Sequence, residues 1–90
     1  MIGFRVHILR IHYSRNGRIK YVMKLYRDGI DEPGTPLIRY TGDAALCEAL
    51  NRLNVAEPEQ QRLLSVLHDQ ASESFAVDIA EDVARRFGWP

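Results

Sequence analysis

Residues 4–27 read FRVHILRIHYSRNGRIKYVMKLYR, two runs dense in β-branched and aromatic residues on either side of Asn16-Gly17. That combination signals a β-hairpin, because an Asn-Gly pair accepts the left-handed backbone that a tight reversal requires. Loop length decides which face of the hairpin is apolar. A two-residue loop sets Arg15 opposite Arg18, His12 opposite Tyr21 and Arg10 opposite Met23, polar against apolar. A three-residue loop, Arg15-Asn16-Gly17 with Gly17 left-handed, pairs Tyr13 with Ile19, Ile11 with Tyr21, Leu9 with Met23 and His7 with Leu25. This second register collects one apolar face, which a slip of one residue would destroy, so it is the expected one. It turns Val6, Ile8, Arg10 and His12 to the other face, opposite Tyr26, Lys24, Val22 and Lys20.

Downstream, Glu32-Pro33-Gly34-Thr35 predicts a type II turn, and Leu37-Ile38-Arg39-Tyr40 a short third strand antiparallel to the second. The pattern then becomes helical. Thr41 or Asp43 can cap a first helix with Ala45, Leu46, Ala49, Leu50 and Leu53 on one side, ending near Asn54. Pro58, with Glu57 and Glu59, opens a second helix that buries Leu63, Leu64, Leu67 and Ala71. Phe75, Ile79, Val83 and Phe87 recur every four residues, predicting a third helix capped by Ser72 or Ser74 and stopped by Gly88. Glu81 with Arg85 and Asp82 with Arg86 form favourably oriented pairs on its outer side. The expected fold is one α+β domain over residues 1–90, in the order β-β-β-α-α-α. A three-stranded antiparallel sheet carries three helices on one face.

Ninety residues fit one domain with one modest core. The composition, 46% hydrophobic and 27% charged, is that of a folded globular chain. No apolar run is long enough for a membrane helix, and no secretory leader stands at the N-terminus. The single cysteine, Cys47, fits a reducing compartment, so a cytoplasmic address is expected. The net charge of +0 hides a division. Residues 1–42 hold eight Lys/Arg against three acids, and residues 43–90 hold four against nine. The chain is a basic sheet half followed by an acidic helical half.

Two surfaces follow from the expected register. Arg10, His12, Arg15, Arg18, Lys20 and Lys24, with Tyr26 among them, form a basic face and tip suited to neutralising phosphates and stacking a base. Phe4, Val6, Ile8 and Tyr26 form an apolar patch that calls for a cover, either a helix or the C-terminal tail of the chain itself or a protein partner or second copy, with Trp89 a C-terminal anchor or a partner contact. Catalysis finds little footing. His7 and His12 point to opposite sides of their strand, and Cys47 has no His or Cys one helical turn away, so no metal or cofactor is expected. His68 and Asp69 are neighbours on a helix and do not face each other. No phosphate loop or nucleophile-elbow motif occurs. The expectation is a non-catalytic interaction or regulatory protein working through the outer face of its sheet. A nucleic-acid-binding module built on the basic hairpin is the alternative, and a small enzyme of unknown type ranks third.

Overall fold

The computed structural model describes residues 2–12, 17–27 and 38–88. It is an α+β fold on an antiparallel sheet, with elements β1 (Ile2–His12), β2 (Ile19–Arg27), β3 (Ile38–Thr41), α1 (Asp43–Arg52), α2 (Glu57–Asp69), β4 (Ser72–Ile79) and α3 (Glu81–Arg86). The sheet has four strands in the order β3-β2-β1-β4, each antiparallel to its neighbours. Helices α1 and α2 carry the chain across one face of the sheet, from the β3 edge to the β4 edge. The element order is therefore β-β-β-α-α-β-α, with one strand more than the sequence pattern predicts.

The extra strand is the segment expected to begin the third helix. Phe75 and Ile79 are four residues apart, and four is a multiple of the strand period of two as well as close to one helical turn. Val77 settles the matter. It lies between them on the inward side, packed with Phe75 against the core, while Ala76 and Asp78 are exposed. Helix remains only at Glu81–Arg86, and Gly88, at φ 92°, stands just beyond it.

The hairpin register also differs. His12 lies opposite Ile19, Arg10 opposite Tyr21, Ile8 opposite Met23 and Val6 opposite Leu25. Among the described residues His12 and Ile19 are the last paired positions, a register one residue off the expected one, although Gly17 does hold a left-handed φ of 65°. The reason lies in β1, whose apolar residues change phase at Ile8-Leu9. Phe4, Val6 and Ile8 belong to one side, and Leu9 and Ile11 toward the tip to the other. The helical layer covers the first half of β1, so the parity of Phe4, Val6 and Ile8 prevails. These three are at most 2% exposed, beside Tyr21, Met23 and Leu25 of β2, which carry the parity expected of them. Leu9 and Ile11 face outward, and Ile11 is 40% exposed.

Leu46, Ala49, Leu50 and Leu53 of the first helix and its C-cap, Leu63, Leu64 and Leu67 of α2, and Ala84 and Phe87 around α3 complete one core with those strand residues. The α1–α2 junction is a Schellman closure. Asn54 adopts φ 60°, its N–H reaches the Asn51 carbonyl at 3.0 Å, and the Val55 N–H reaches the Leu50 carbonyl at 3.0 Å. Gln60, buried, donates its amide to Asn51 and to the Val55 carbonyl, tying α2 to this closure. Ala71, expected in the core, is exposed; its carbonyl accepts the Arg10 N–H at 2.8 Å and so joins the α2–β4 link to β1. The predicted turn at Glu32–Thr35 lies outside the described residues, as do Tyr13, Arg15, Asn16, Leu37 and Trp89. Among the described residues, no helix is long and apolar enough to cross a membrane.

Candidate binding face of the sheet

All three helices bury their apolar sides in the core on the Phe4–Val6–Ile8 side of the sheet. Among the described residues, the other face carries no helix. Its composition follows from the pairing. Arg5 stands opposite Tyr26 and Ala76, His7 opposite Lys24 and Ser74, Leu9 opposite Val22 and Ser72, and Ile11 opposite Lys20. Arg39 continues the row of Val22, and Thr41 the row of Lys20. Directly opposed residues in an antiparallel sheet share a face about 4.5–5.5 Å apart. One surface therefore holds the cations Arg5, Lys20, Lys24 and Arg39 together with His7, and Asp78 is its one carboxylate among the described residues.

The arrangement has a centre and a rim. Val22, 6% exposed, and Leu9 make an apolar middle. Lys20 and Lys24 lie two residues to either side of Val22 on β2, about 13 Å apart along the strand, while Arg39 stands beside it on β3. Tyr26, half-buried, is flanked by Arg5 and offers one ring. β4 adds only Ser72, Ser74 and Ala76 inside the rim, so the β1 side chains stand above a shallow border.

This face differs from both surfaces expected from the sequence. Phe4, Val6 and Ile8 are core residues and lie on the opposite side of the sheet from Tyr26, so the expected apolar patch does not form. Arg10 also faces the helices. It is half-buried, and its guanidinium donates to the His68 carbonyl at 2.6 Å. Lys20, Lys24 and Tyr26 do share the outer face, and Arg18, exposed, precedes β2. The His12 side chain, Arg15 and Trp89 lie outside what is described. Arg5, His7 and Arg39 were missed. Their signal was alternation, Arg5 and His7 with the core residues Phe4, Val6 and Ile8, and Arg39 between Ile38 and Tyr40.

On the helix side, one polar cluster joins three elements. Gly42 takes φ 86° and ψ 161°, a backbone region nearly confined to glycine. The turn it makes places Asp43 at the start of α1 beside β2. The Tyr21 hydroxyl donates to Asp43 at 2.6 Å, and His68 Nε2 lies 3.1 Å from the other carboxylate oxygen. The Tyr21 hydrogen bond, with a further one from His68, holds Asp43 below the usual carboxylate range despite partial burial. Burial and the same bond push the Tyr21 hydroxyl far above its ordinary value. Asp43 is thus fixed as an anion and Tyr21 as a neutral donor, a pairing that clamps β2, α1 and α2 together and leaves neither group ready to exchange a proton near neutrality.

Cys47, one turn after Asp43, is partly buried against the core, and burial with the nearby Asp43 and Glu57 raises its thiol. Such surroundings suit a small hydrophobe better than a thiolate nucleophile. Among the described residues, no three His, Cys, Asp or Glu side chains gather as a metal site requires.

The helical layer is the electrostatic opposite of the outer sheet face. The three helices carry seven acids against four arginines. Each arginine is paired: Arg52 with Glu48, Arg62 with Glu59 and Glu73, Arg85 with Glu81, Arg86 with Asp82. Comparison of the chain with protein-family models, curated proteins and solved structures finds no match.

Proposed function

We propose that this chain is a non-catalytic binding domain whose ligand is a single-stranded nucleic acid laid across the outer face of the sheet. The observation that carries this reading is the gathering of Arg5, His7, Lys20, Lys24 and Arg39 on a face that no described helix covers. Phosphate neutralisation supplies most of the affinity of such a surface, and it needs cations spread over the path of a backbone. Rows about 4.8 Å apart across the strands and about 7 Å apart along alternate residues supply that spread. Tyr26 beside Arg5 adds a stacking site for one base, worth about 1–3 kcal/mol when a base seats on it. With one ring and no dense set of hydrogen-bonding side chains, the face favours binding with little sequence preference.

The test is anisotropy of a labelled single strand with the wild type, Lys24→Glu, Arg39→Glu and, as a control on the helical layer, Arg85→Gln. Each outer-face variant is expected to weaken binding about tenfold or more and to reduce the salt dependence by about one contact. Arg85→Gln should bind as the wild type does. Equal affinity for all four proteins would rule the outer face out as the binding surface.

Charge segregation favours a second reading, self-association of the acidic helical layer of one copy with the basic sheet of the next. Sedimentation at low salt separates the two, since this reading requires concentration-dependent growth without any oligonucleotide.

A further inference from the structure

A groove of about 660 Å³ lies on the helix side, between the edge strand β3 and α3. Ile38 and Tyr40 form one wall, Val83 and Phe87 the other, and Arg52, at the end of α1, and Arg86, at the end of α3, also line it. The geometry points to a binding site for a small carboxylic acid with an apolar or aromatic body.

The volume falls within the range of small-molecule sites, which are mostly apolar with a few convergent polar groups. Here the polar groups are two guanidinium ions contributed by different helices, the side chain best shaped to hold a carboxylate in two-point contact. Both are held only loosely. Arg52 lies 3.3 Å from Glu48 and Arg86 3.9 Å from Asp82, each one helical turn along, with arginine side chains 67% and 78% exposed. Exposed pairs of this kind contribute little, so exchanging them for a ligand carboxylate costs little. Burial also raises the Tyr40 hydroxyl, with Arg52 nearby opposing the shift, so the phenol keeps its proton as a hydrogen-bond donor in the wall.

The site is separate from the outer sheet face, and the two fail independently. Its probe is 2-naphthoate, titrated into the ¹⁵N-labelled protein with 2-naphthylmethanol as the uncharged comparator. Saturable amide shifts at Ile38, Tyr40, Val83, Phe87 and Gly88 are expected with the carboxylate, at roughly tenfold higher affinity than with the alcohol. Arg52→Gln and Arg86→Gln, both at exposed positions, should each remove most of that preference while leaving the remaining spectrum in place. Glu48→Gln, which frees Arg52, should bind at least as tightly as the wild type. The proposal is overturned if no saturable shift appears. It is also overturned if acid and alcohol bind alike, or if the shifts fall on Arg5, Lys24 and Arg39 instead.

Discussion

At the scale of single residues, alternation decides which side chains enter the core and which face outward. Val6 and Lys24 illustrate it: the first is fully buried, and the second stands one row away on the other side of the sheet. Val6→Asp places a carboxylate among core residues that, as far as they are described, include no cation. The expected cost exceeds about 4 kcal/mol, a large share of the stability of a small domain. Far-UV circular dichroism should find this variant largely unfolded, whereas Lys24→Glu should melt within a few degrees of the wild type. A folded Val6→Asp protein would mean that Val6 lies on an accessible surface.

Asp43 gives a prediction in pH. Its folded pKa is lowered, first by the Tyr21 hydroxyl and then by His68. Its ionised form therefore stabilises the fold above the ordinary carboxylate range, and that stabilisation is lost as pH falls through the folded value. Hydrogen bonds to charged groups contribute about 1.5–3 kcal/mol, and the exposure of this carboxylate reduces the expectation to about 1 kcal/mol. Asp43→Asn should accordingly unfold more easily than the wild type in urea at pH 7. The gap should narrow as pH falls below the ordinary carboxylate range and through the lowered folded value, where the Asp43 carboxyl takes up a proton and both proteins become uncharged at that position. A gap of constant size across this range contradicts the clamp.

At the scale of elements, what was legible in the sequence was whatever had a single period. In β2 one parity, Ile19, Tyr21, Met23 and Leu25, is apolar throughout, and α1 and α2 repeat at helical spacing, so their existence and inward faces could be read directly. β1 could not be read that way, because Ile8-Leu9 lets either parity be completed with apolar residues. Only the location of the helical layer chooses between them, and no local pattern contains it. Two of the residues on the outer face, Arg5 and His7, were hidden by that choice. Residues 72–79 were obscured for a different reason, since apolar residues four apart satisfy both periods. Val77 distinguishes the two readings experimentally. In a strand it shares the inward side with Phe75 and Ile79; in a helix it would lie about 200° around the axis from both. Val77→Ala should therefore cost about 1 kcal/mol by urea denaturation, and Ala76→Ser almost nothing. Equal and negligible effects would favour a helix.

At the scale of the whole molecule, the division of charge along the chain becomes a division in space. The sheet presents Arg5, Lys20, Lys24 and Arg39 outward, and the helices that cover its other face carry the acids. Net neutrality therefore coexists with one attractive surface for polyanions, and the helical layer opposes a second approach from behind. A chain of this size has little volume for an enclosed site, which makes an open face a natural place for binding. The most direct measurement is the affinity of the wild-type protein for a labelled single-stranded oligonucleotide, followed by anisotropy from about 50 to 200 mM salt. Four cations meeting phosphates predict that log K falls with log salt at a slope of about −2 to −3. Absence of binding at the lowest salt, or an affinity that salt does not change, would contradict the assignment of the outer sheet face to a nucleic-acid strand.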